Sequence, residues 1–182
     1  MTKRLRYLVL HGPNLNLLGT REPDIYGRVT LADVDEAVRG LAVALDIDVE
    51  CHQSNHEGTL IDLMQHAAGT VDGCIINAGA YTHTSIALHD CIKAMPYPVV
   101  EVHLSNIHAR EAFRHVSRLG PAVRASIAGF GWRSYTAASR MLGEQARETS
   151  DAPWLEAPRL LGARTGVEAP RLLGAGSRRP PV

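Results

Sequence analysis

The sequence predicts an α/β fold of three layers, in which a five-stranded parallel sheet carries helices on both faces. Two observations lead to this prediction. Short apolar runs, typical of strands buried on both faces, alternate along the chain with longer amphipathic segments. The 182 residues, of which 45 % are apolar, are also enough for one domain with a substantial core.

The first half of the chain begins with an apolar strand at residues 6–11. Thr30 is expected to cap a helix over residues 31–45, because a hydroxyl there can accept a backbone N–H and apolar residues follow at helical spacing. A second strand is predicted at residues 48–52. A helix over residues 57–68 follows, and its apolar face is formed by Leu60, Ile61, Met64 and Ala68.

The second half supplies the remaining strands. The segment DGCIINAGA predicts a third strand that ends at Gly79. Thr84 or Ser85 is expected to cap a helix that runs to about residue 93, where the segment MPYP stops it. PVVEVHLS and ASIAGFG predict the fourth and fifth strands, and a last helix is predicted from about residue 132 to residue 147.

Composition narrows the class of protein. The formal net charge is zero, which argues against a nucleic-acid or membrane-surface partner, and no apolar run approaches the roughly 20 residues of a transmembrane helix. No signal peptide is apparent at the N-terminus. The three cysteines are widely spaced, so we expect reduced, buried side chains in a cytoplasmic protein: Cys51, Cys74 and Cys91.

From about residue 149 the composition changes to a segment rich in proline, glycine and arginine. The octet EAPRLLGA occurs at 156–163 and again at 168–175, and two copies are too few for a repeat fold. We therefore predict a domain over residues 1–148 and a disordered tail over residues 149–182.

Candidate functional residues are those that follow the strands, since ligands of parallel sheets bind beyond the carboxyl ends of the strands. Asn14 follows the first strand in a loop that lacks both glycine-rich phosphate motifs. Arg21 lies five residues before Tyr26 in the same loop. A cation close to a phenol lowers its pKa, which would make Tyr26 a general base. A surface tyrosine beside a solvated arginine is the alternative that this local pattern leaves open.

Two further clusters follow the third and fourth strands. His83 comes close before a predicted helix start, where it is either a ligand-binding or a capping histidine. Glu101 and His103 share one face of a strand, and a carboxylate beside an imidazole favours the protonated ring that a general acid needs. Ser105 and Arg114 are suited to binding a carboxylate. The histidine spacing matches no metal motif, so we predict no metal site.

Four segments together resemble type II 3-dehydroquinate dehydratase: GPNLNLLGTREPDIYG, QSNHEG, INAGAYTHTS and EVHLSNIHAREAFRH. They occur in order over residues 5–147, and the tail departs from the usual family core. The resemblance implies a flavodoxin-like fold and a hydro-lyase. This enzyme converts 3-dehydroquinate to 3-dehydroshikimate by anti elimination through an enolate, without metal or cofactor. It serves the shikimate pathway or quinate breakdown.

The resemblance also implies the roles of individual residues. Tyr26 removes the proton beside the ketone, Arg21 supports its phenolate, and their loop closes as a lid. Asn14 stabilises the enolate oxygen through a water. His103 protonates the departing hydroxyl, with Glu101 behind it. Substrate binding is implied for Asn77, His83, Leu104 through its amide, Ser105 and Arg114, and for Asp90 reaching from a neighbouring subunit of a dodecamer built from trimers.

Alternative functions predict other features. A second class of dehydroquinate dehydratase uses a buried lysine, and the only lysines, Lys3 and Lys93, lie away from the ligand edge. A flavodoxin-like signalling or flavin-binding module would place a phosphate loop or an aspartate pair after the first strand, where this chain has His11 to Asn14. An inactive relative that acts as a binding module through its tail is the remaining alternative.

Overall fold

The computed structural model describes residues 4–20 and 28–151, with side chains as far as residue 147. Five strands form one sheet in which every strand is parallel to its neighbours. They are β1 (Leu5–His11), β2 (Ile47–Gln53), β3 (Gly73–Asn77), β4 (Val99–His103) and β5 (Ala125–Ala128). The strand order β2-β1-β3-β4-β5 is that of flavodoxin-like sheets, which confirms the predicted fold class.

Within residues 4–20 and 28–151, five helices connect the strands or follow them. They are α1 (Leu31–Leu45), α2 (Glu57–His66), α3 (Tyr81–Thr84), α4 (Ile86–Ala94) and α5 (Arg133–Asp151). Three short 3₁₀ turns, which the sequence patterns did not predict, occupy Leu15–Leu17, Ile107–Ala109 and Ala112–Arg114.

Capping side chains explain where two of the helices begin. The Thr30 hydroxyl accepts the backbone N–H of Asp33 at the start of α1, and the Asp33 carboxylate accepts the backbone N–H of Thr30. This reciprocal pair satisfies two amides that the helix leaves free. At α4 the cap is Ser85, whose hydroxyl accepts the backbone N–H of Leu88, whereas Thr84 belongs to α3.

The predicted end of α2 was wrong. The helix ends at His66, and Ala68 is exposed rather than packed, while Leu60 and Met64 are buried as expected. Ala67 is the C-terminal cap, and Gly69, which follows the apolar pattern directly, adopts a left-handed φ of 81° in the turn after the helix.

The core has two layers because alternate residues of a strand face opposite sides of the sheet. Leu8 and Leu10 of β1 lie in the cluster with α2 and α4, and Tyr7 and Val9 lie in the cluster with α1 and α5. The cysteines are free; Cys74 and Cys91 are buried and Cys51 is half-buried, so the expectation of three buried cysteines was wrong at Cys51.

The chain divides into two units between Arg147 and Glu148. The predicted tail lies outside the described residues except for its first three positions, which continue the backbone of α5. Within the described part of the chain, the search for a helix of sufficient length and apolarity to cross a bilayer found none.

Candidate active site

A cleft opens at the carboxyl ends of β1, β3 and β4, with about 770 Å³ of empty space open to solvent. A pocket at this edge of a parallel sheet is the usual place for a small-molecule site. It is lined by these residues that the sequence analysis singled out: Asn14, Asn77, His83, His103, Leu104, Ser105 and Arg114.

Close contact between two loops holds Asn14 beside Asn77. The Gly12 backbone N–H donates to the Asn77 carbonyl over 2.7 Å, and a Cβ on Gly12 would stand only 2.5 Å from the Ala78 carbonyl oxygen. The chain then turns at Asn14, which has a left-handed φ of 66° and donates its backbone N–H to Oδ1 of Asn55. Asparagine tolerates this conformation better than most residues, so the turn itself explains part of its presence.

Glu101 lies fully buried beneath the cleft and is held as a carboxylate. Ser126 donates a hydrogen bond to Oε2 over 2.9 Å, and the Ser117 hydroxyl lies 2.9 Å from each carboxylate oxygen. Burial by itself raises the pKa of Glu101, but the contacts with His103, Ser126 and Ser117 outweigh it and hold the pKa below its ordinary value. The group therefore carries a negative charge at neutral pH.

His103 lies between this carboxylate and the cleft. Its Nε2 is 3.2 Å from Oε1 of Glu101, and the N–H direction is not aligned for a hydrogen bond, so the contact is an ion pair when the ring is protonated. The His103 carbonyl accepts a hydrogen bond from the Ser134 hydroxyl over 2.9 Å, which anchors the end of β4. The arrangement suits an imidazole that donates a proton and whose positive charge is stabilised from below.

His83 presents one defined tautomer to the cleft. Its Nδ1 lies 2.9 Å from the carbonyl oxygen of Val116. Because a carbonyl only accepts hydrogen bonds, Nδ1 carries the hydrogen and donates it. Nε2 is then the ring nitrogen that remains for a ligand.

Two arginines make one end of the cleft positive. Both contact Oε2 of Glu111, with Nε of Arg114 at 2.9 Å and Nε of Arg110 at 3.3 Å. Arg110 also donates a hydrogen bond to the Ser105 hydroxyl over 3.4 Å. Guanidinium groups bind carboxylates in forked geometry, so this end is suited to an anionic substrate group.

Sequence reasoning missed Arg110, Ser117 and Ser126. Arg110 lies four residues before Arg114 in a segment already under consideration, so a second cation in that segment was an available signal. The two serines carried no such signal, since they reach Glu101 only through the fold.

Four of the predicted site residues are not among those that line the described cleft, and one of them is Glu101, which lies beneath it. Arg21 and Tyr26 lie outside the described residues. Asp90 is exposed on α4 and is not among the residues that line the cleft of its own chain. Among the described side chains, one group of metal-ligating residues converges, formed by His11, Asp35 and Cys51, and it does not line the cleft.

Comparisons with known proteins show the family of the chain. The family model for class II dehydroquinases matches residues 5–143. A 3-dehydroquinate dehydratase from Marinomonas sp. is 59 % identical over 133 residues, 70 % of this chain and 89 % of that protein. Another from Synechocystis sp. is 49 % identical over 152 residues, 84 % of this chain and 100 % of that protein. The crystal structure of a type II dehydroquinase from Butyrivibrio crossotus superposes with a TM-score of 0.75 at 42 % identity, covering 76 % of this chain and 97 % of that chain.

Proposed function

The chain belongs to the class II dehydroquinase family, and on that premise we propose how its cleft removes water from 3-dehydroquinate to give 3-dehydroshikimate. The enzyme is a hydro-lyase of the shikimate pathway or of quinate breakdown. The observation that carries the proposed mechanism is the buried Glu101 carboxylate, 3.2 Å behind an imidazole that faces a cleft with two arginines. A negative charge behind the acid and a positive charge at the far end match an anionic substrate that loses a hydroxyl.

The substrate carboxylate binds at the arginine end of the cleft. We assign Arg114, the Ser105 hydroxyl and the Leu104 amide to it, as the resemblance implies. Arg110 is an addition from the structure, because it borders the cleft and already contacts Ser105. Asn77 and His83 also line the cleft and are assigned to the substrate hydroxyls.

In the elimination, the substrate loses one proton to a base and its leaving hydroxyl gains one from an acid. A base takes the proton from the carbon beside the ketone, and the electron pair of that C–H bond forms the enolate. Collapse of the enolate breaks the bond to the leaving hydroxyl, which receives a proton from the His103 ring and departs as water. The Glu101 carboxylate stabilises the imidazolium before this transfer.

The base in this proposal is Tyr26, supported by Arg21, and both lie outside the described residues. Their roles rest on the resemblance, and so does the role of Asn14 in stabilising the enolate oxygen through a water. What supports Asn14 is its place on the tight turn after β1, where the chain closes against Asn77 and Ala78. A donor on a fixed turn stabilises developing charge without a cost of reorganisation.

We extend the proposal to a cytoplasmic homo-oligomer, a dodecamer built from trimers, in which Asp90 reaches the site of a neighbouring subunit. The position of Asp90 supports this, since its side chain is exposed and lies away from the cleft-lining residues of its own chain. Mass measurement of the purified protein in solution tests it. A monomer with full activity would contradict both the assembly and the role of Asp90.

The decisive experiment mixes purified protein with 3-dehydroquinate and follows the ultraviolet absorbance of the conjugated enone product. Chelator and borohydride are included in parallel reactions. We expect turnover in all of them, because neither a metal nor a lysine Schiff base takes part in the proposed steps. A folded protein that gives no product would overturn the proposed function, and inhibition by chelator or borohydride would overturn the mechanism.

A further inference from the structure

A chain of buried polar side chains runs from α1 to the wall of the cleft. His11 is the last residue of β1 and pairs in register with Asn77, the last residue of β3. Its Nε2 lies 2.9 Å from Oδ1 of Asp35, and its Nδ1 lies 2.9 Å from the hydroxyl of Tyr135, which is wholly buried. The Asn77 side chain lies close enough to the Tyr135 hydroxyl to lower its pKa, against the larger effect of burial. The chain therefore ends at a residue that lines the cleft.

Donors and acceptors along the chain have one consistent order. The backbone N–H of Gly79 needs an acceptor, and it lies 3.2 Å from Oδ1 of Asn77, so the amide nitrogen Nδ2 faces Tyr135. The Tyr135 oxygen accepts that N–H and donates its own proton to Nδ1 of His11. Nε2 of His11 then donates to the Asp35 carboxylate.

The two ends of the chain are fixed by charge and burial. Burial raises the pKa of Tyr135, which keeps its hydroxyl protonated. Burial also raises the pKa of Asp35, but the hydrogen bond from His11 and the charge of Arg39 outweigh it and lower the pKa, so Asp35 is ionised. An ionised carboxylate can only accept, and this sets the direction of every bond as far as Asn77.

We propose that Asp35, His11 and Tyr135 are positioning residues that lock the Asn77 carboxamide in one orientation, with one N–H left for a substrate hydroxyl. An asparagine amide can flip, and a flipped amide would present its oxygen where substrate needs a donor. The inference rests on the proposed function, since it takes Asn77 as a substrate-binding residue.

A metal site is the competing interpretation of the same cluster. The ligand atoms of His11, Asp35 and Cys51 lie within 4.8 Å of one another. Burial and the charge of Asp35 raise the pKa of Cys51 to about 12, so its thiol stays protonated, and a thiolate is the form that binds zinc. Both nitrogens of His11 are also engaged in hydrogen bonds. These observations favour the hydrogen-bonded chain.

The test is a double-mutant cycle between Tyr135→Phe and Asn77→Ala, with KM and kcat measured for 3-dehydroquinate. We expect Tyr135→Phe to raise KM roughly tenfold with little change in kcat, because it loosens a binding group rather than the acid. In the Asn77→Ala background the same substitution should change KM less than about twofold, since the group it positions is gone. Equal effects in both backgrounds would overturn the proposal.

Tyr7→Phe is the matched control, because Tyr7 is buried in the same core layer and its hydroxyl has no hydrogen-bond partner among the described residues. It should leave KM unchanged, and a rise like that of Tyr135→Phe would overturn the proposal. If Tyr135→Phe fails to fold, Asp35→Asn is used in its place. We expect it to raise KM by a smaller factor, and this rise should also disappear in the Asn77→Ala background.

Two other outcomes are separate. If Asn77→Ala has the KM of the wild type, this inference is overturned, but the proposed function stands as long as the wild type turns over substrate. If the wild type itself is inactive, the proposed function is overturned. Bound zinc in the wild type that is lost in Cys51→Ala would show a metal site and overturn the hydrogen-bonded chain.

Discussion

Replacement of Glu101 by glutamine tests the acid half of the mechanism most directly. The change keeps the size of the side chain and removes its charge, 3.2 Å from Nε2 of His103. Two unit charges at this distance attract by roughly 5 kcal/mol at an effective dielectric constant of about 20. If about half of the imidazolium charge is still present in the transition state, the carboxylate stabilises that state by roughly 2.5 kcal/mol relative to a neutral ring, and loss of this attraction corresponds to a fall in rate of nearly 100-fold.

Whether kcat rises or falls in Glu101→Gln depends on the step that the carboxylate charge assists. The carboxylate stabilises the positive charge that the His103 ring carries as it donates its proton, and Glu101→Gln removes this stabilisation. We therefore expect kcat to fall by about 100-fold, with KM changed less than about threefold, because the carboxylate does not line the cleft.

The assay is the initial rate of enone formation over a range of substrate concentrations and pH. Glu144→Gln is the matched control, because Glu144 is an exposed glutamate on α5 and its replacement should leave both constants unchanged. Thermal unfolding of each variant separates lost catalysis from lost structure. A Glu101→Gln enzyme with kcat within about threefold of the wild type would refute the role of the carboxylate.

The remaining predictions concern the base, the tail and acid stability. Tyr26→Phe should remove nearly all turnover and leave the fold and the oligomer intact, and near-normal rates would end its assignment as base. Deletion of residues 149–182 should leave activity and the mass of the oligomer unchanged in light scattering; loss of the oligomer would contradict the division at residue 148. The pKa of Glu101 lies below its ordinary value of 4.5 in the folded protein, so its stabilising effect is complete above that pH and is lost as the pH falls further. The wild type should therefore lose stability more steeply than Glu101→Gln below about pH 4.5 in urea unfolding, and parallel curves would contradict this.

Local patterns predicted much of the fold because they describe local interactions. The bounds of α1 follow from a cap at Thr30 and an apolar stripe that continues to Leu45. The end of α2 was predicted too late, since the helix is capped at Ala67 although the apolar pattern continues to Ala68. A helix end depends on the backbone conformation of one residue, which periodicity does not describe.

The candidate site was predictable to a similar depth. In a parallel sheet the carboxyl ends of the strands meet at one edge, so the residues after β1, β3 and β4 were expected to converge, and they do. The residues of the cleft wall could therefore be predicted from the ends of the strands. The residues behind the wall could not be predicted in this way, because they come from other parts of the chain.

The sequence alone thus determined the fold class, the edge of the sheet that carries the site and most of the polar side chains that line the cleft. Tertiary structure decided which distant residues support them: Ser117 and Ser126 lie 16 and 25 residues from Glu101, and Tyr135 lies 124 residues from His11. The physical reason is that a buried polar group needs a partner within about 3 Å. Which residue supplies that partner is set by the packing of strands and helices, and no local pattern in the chain records it.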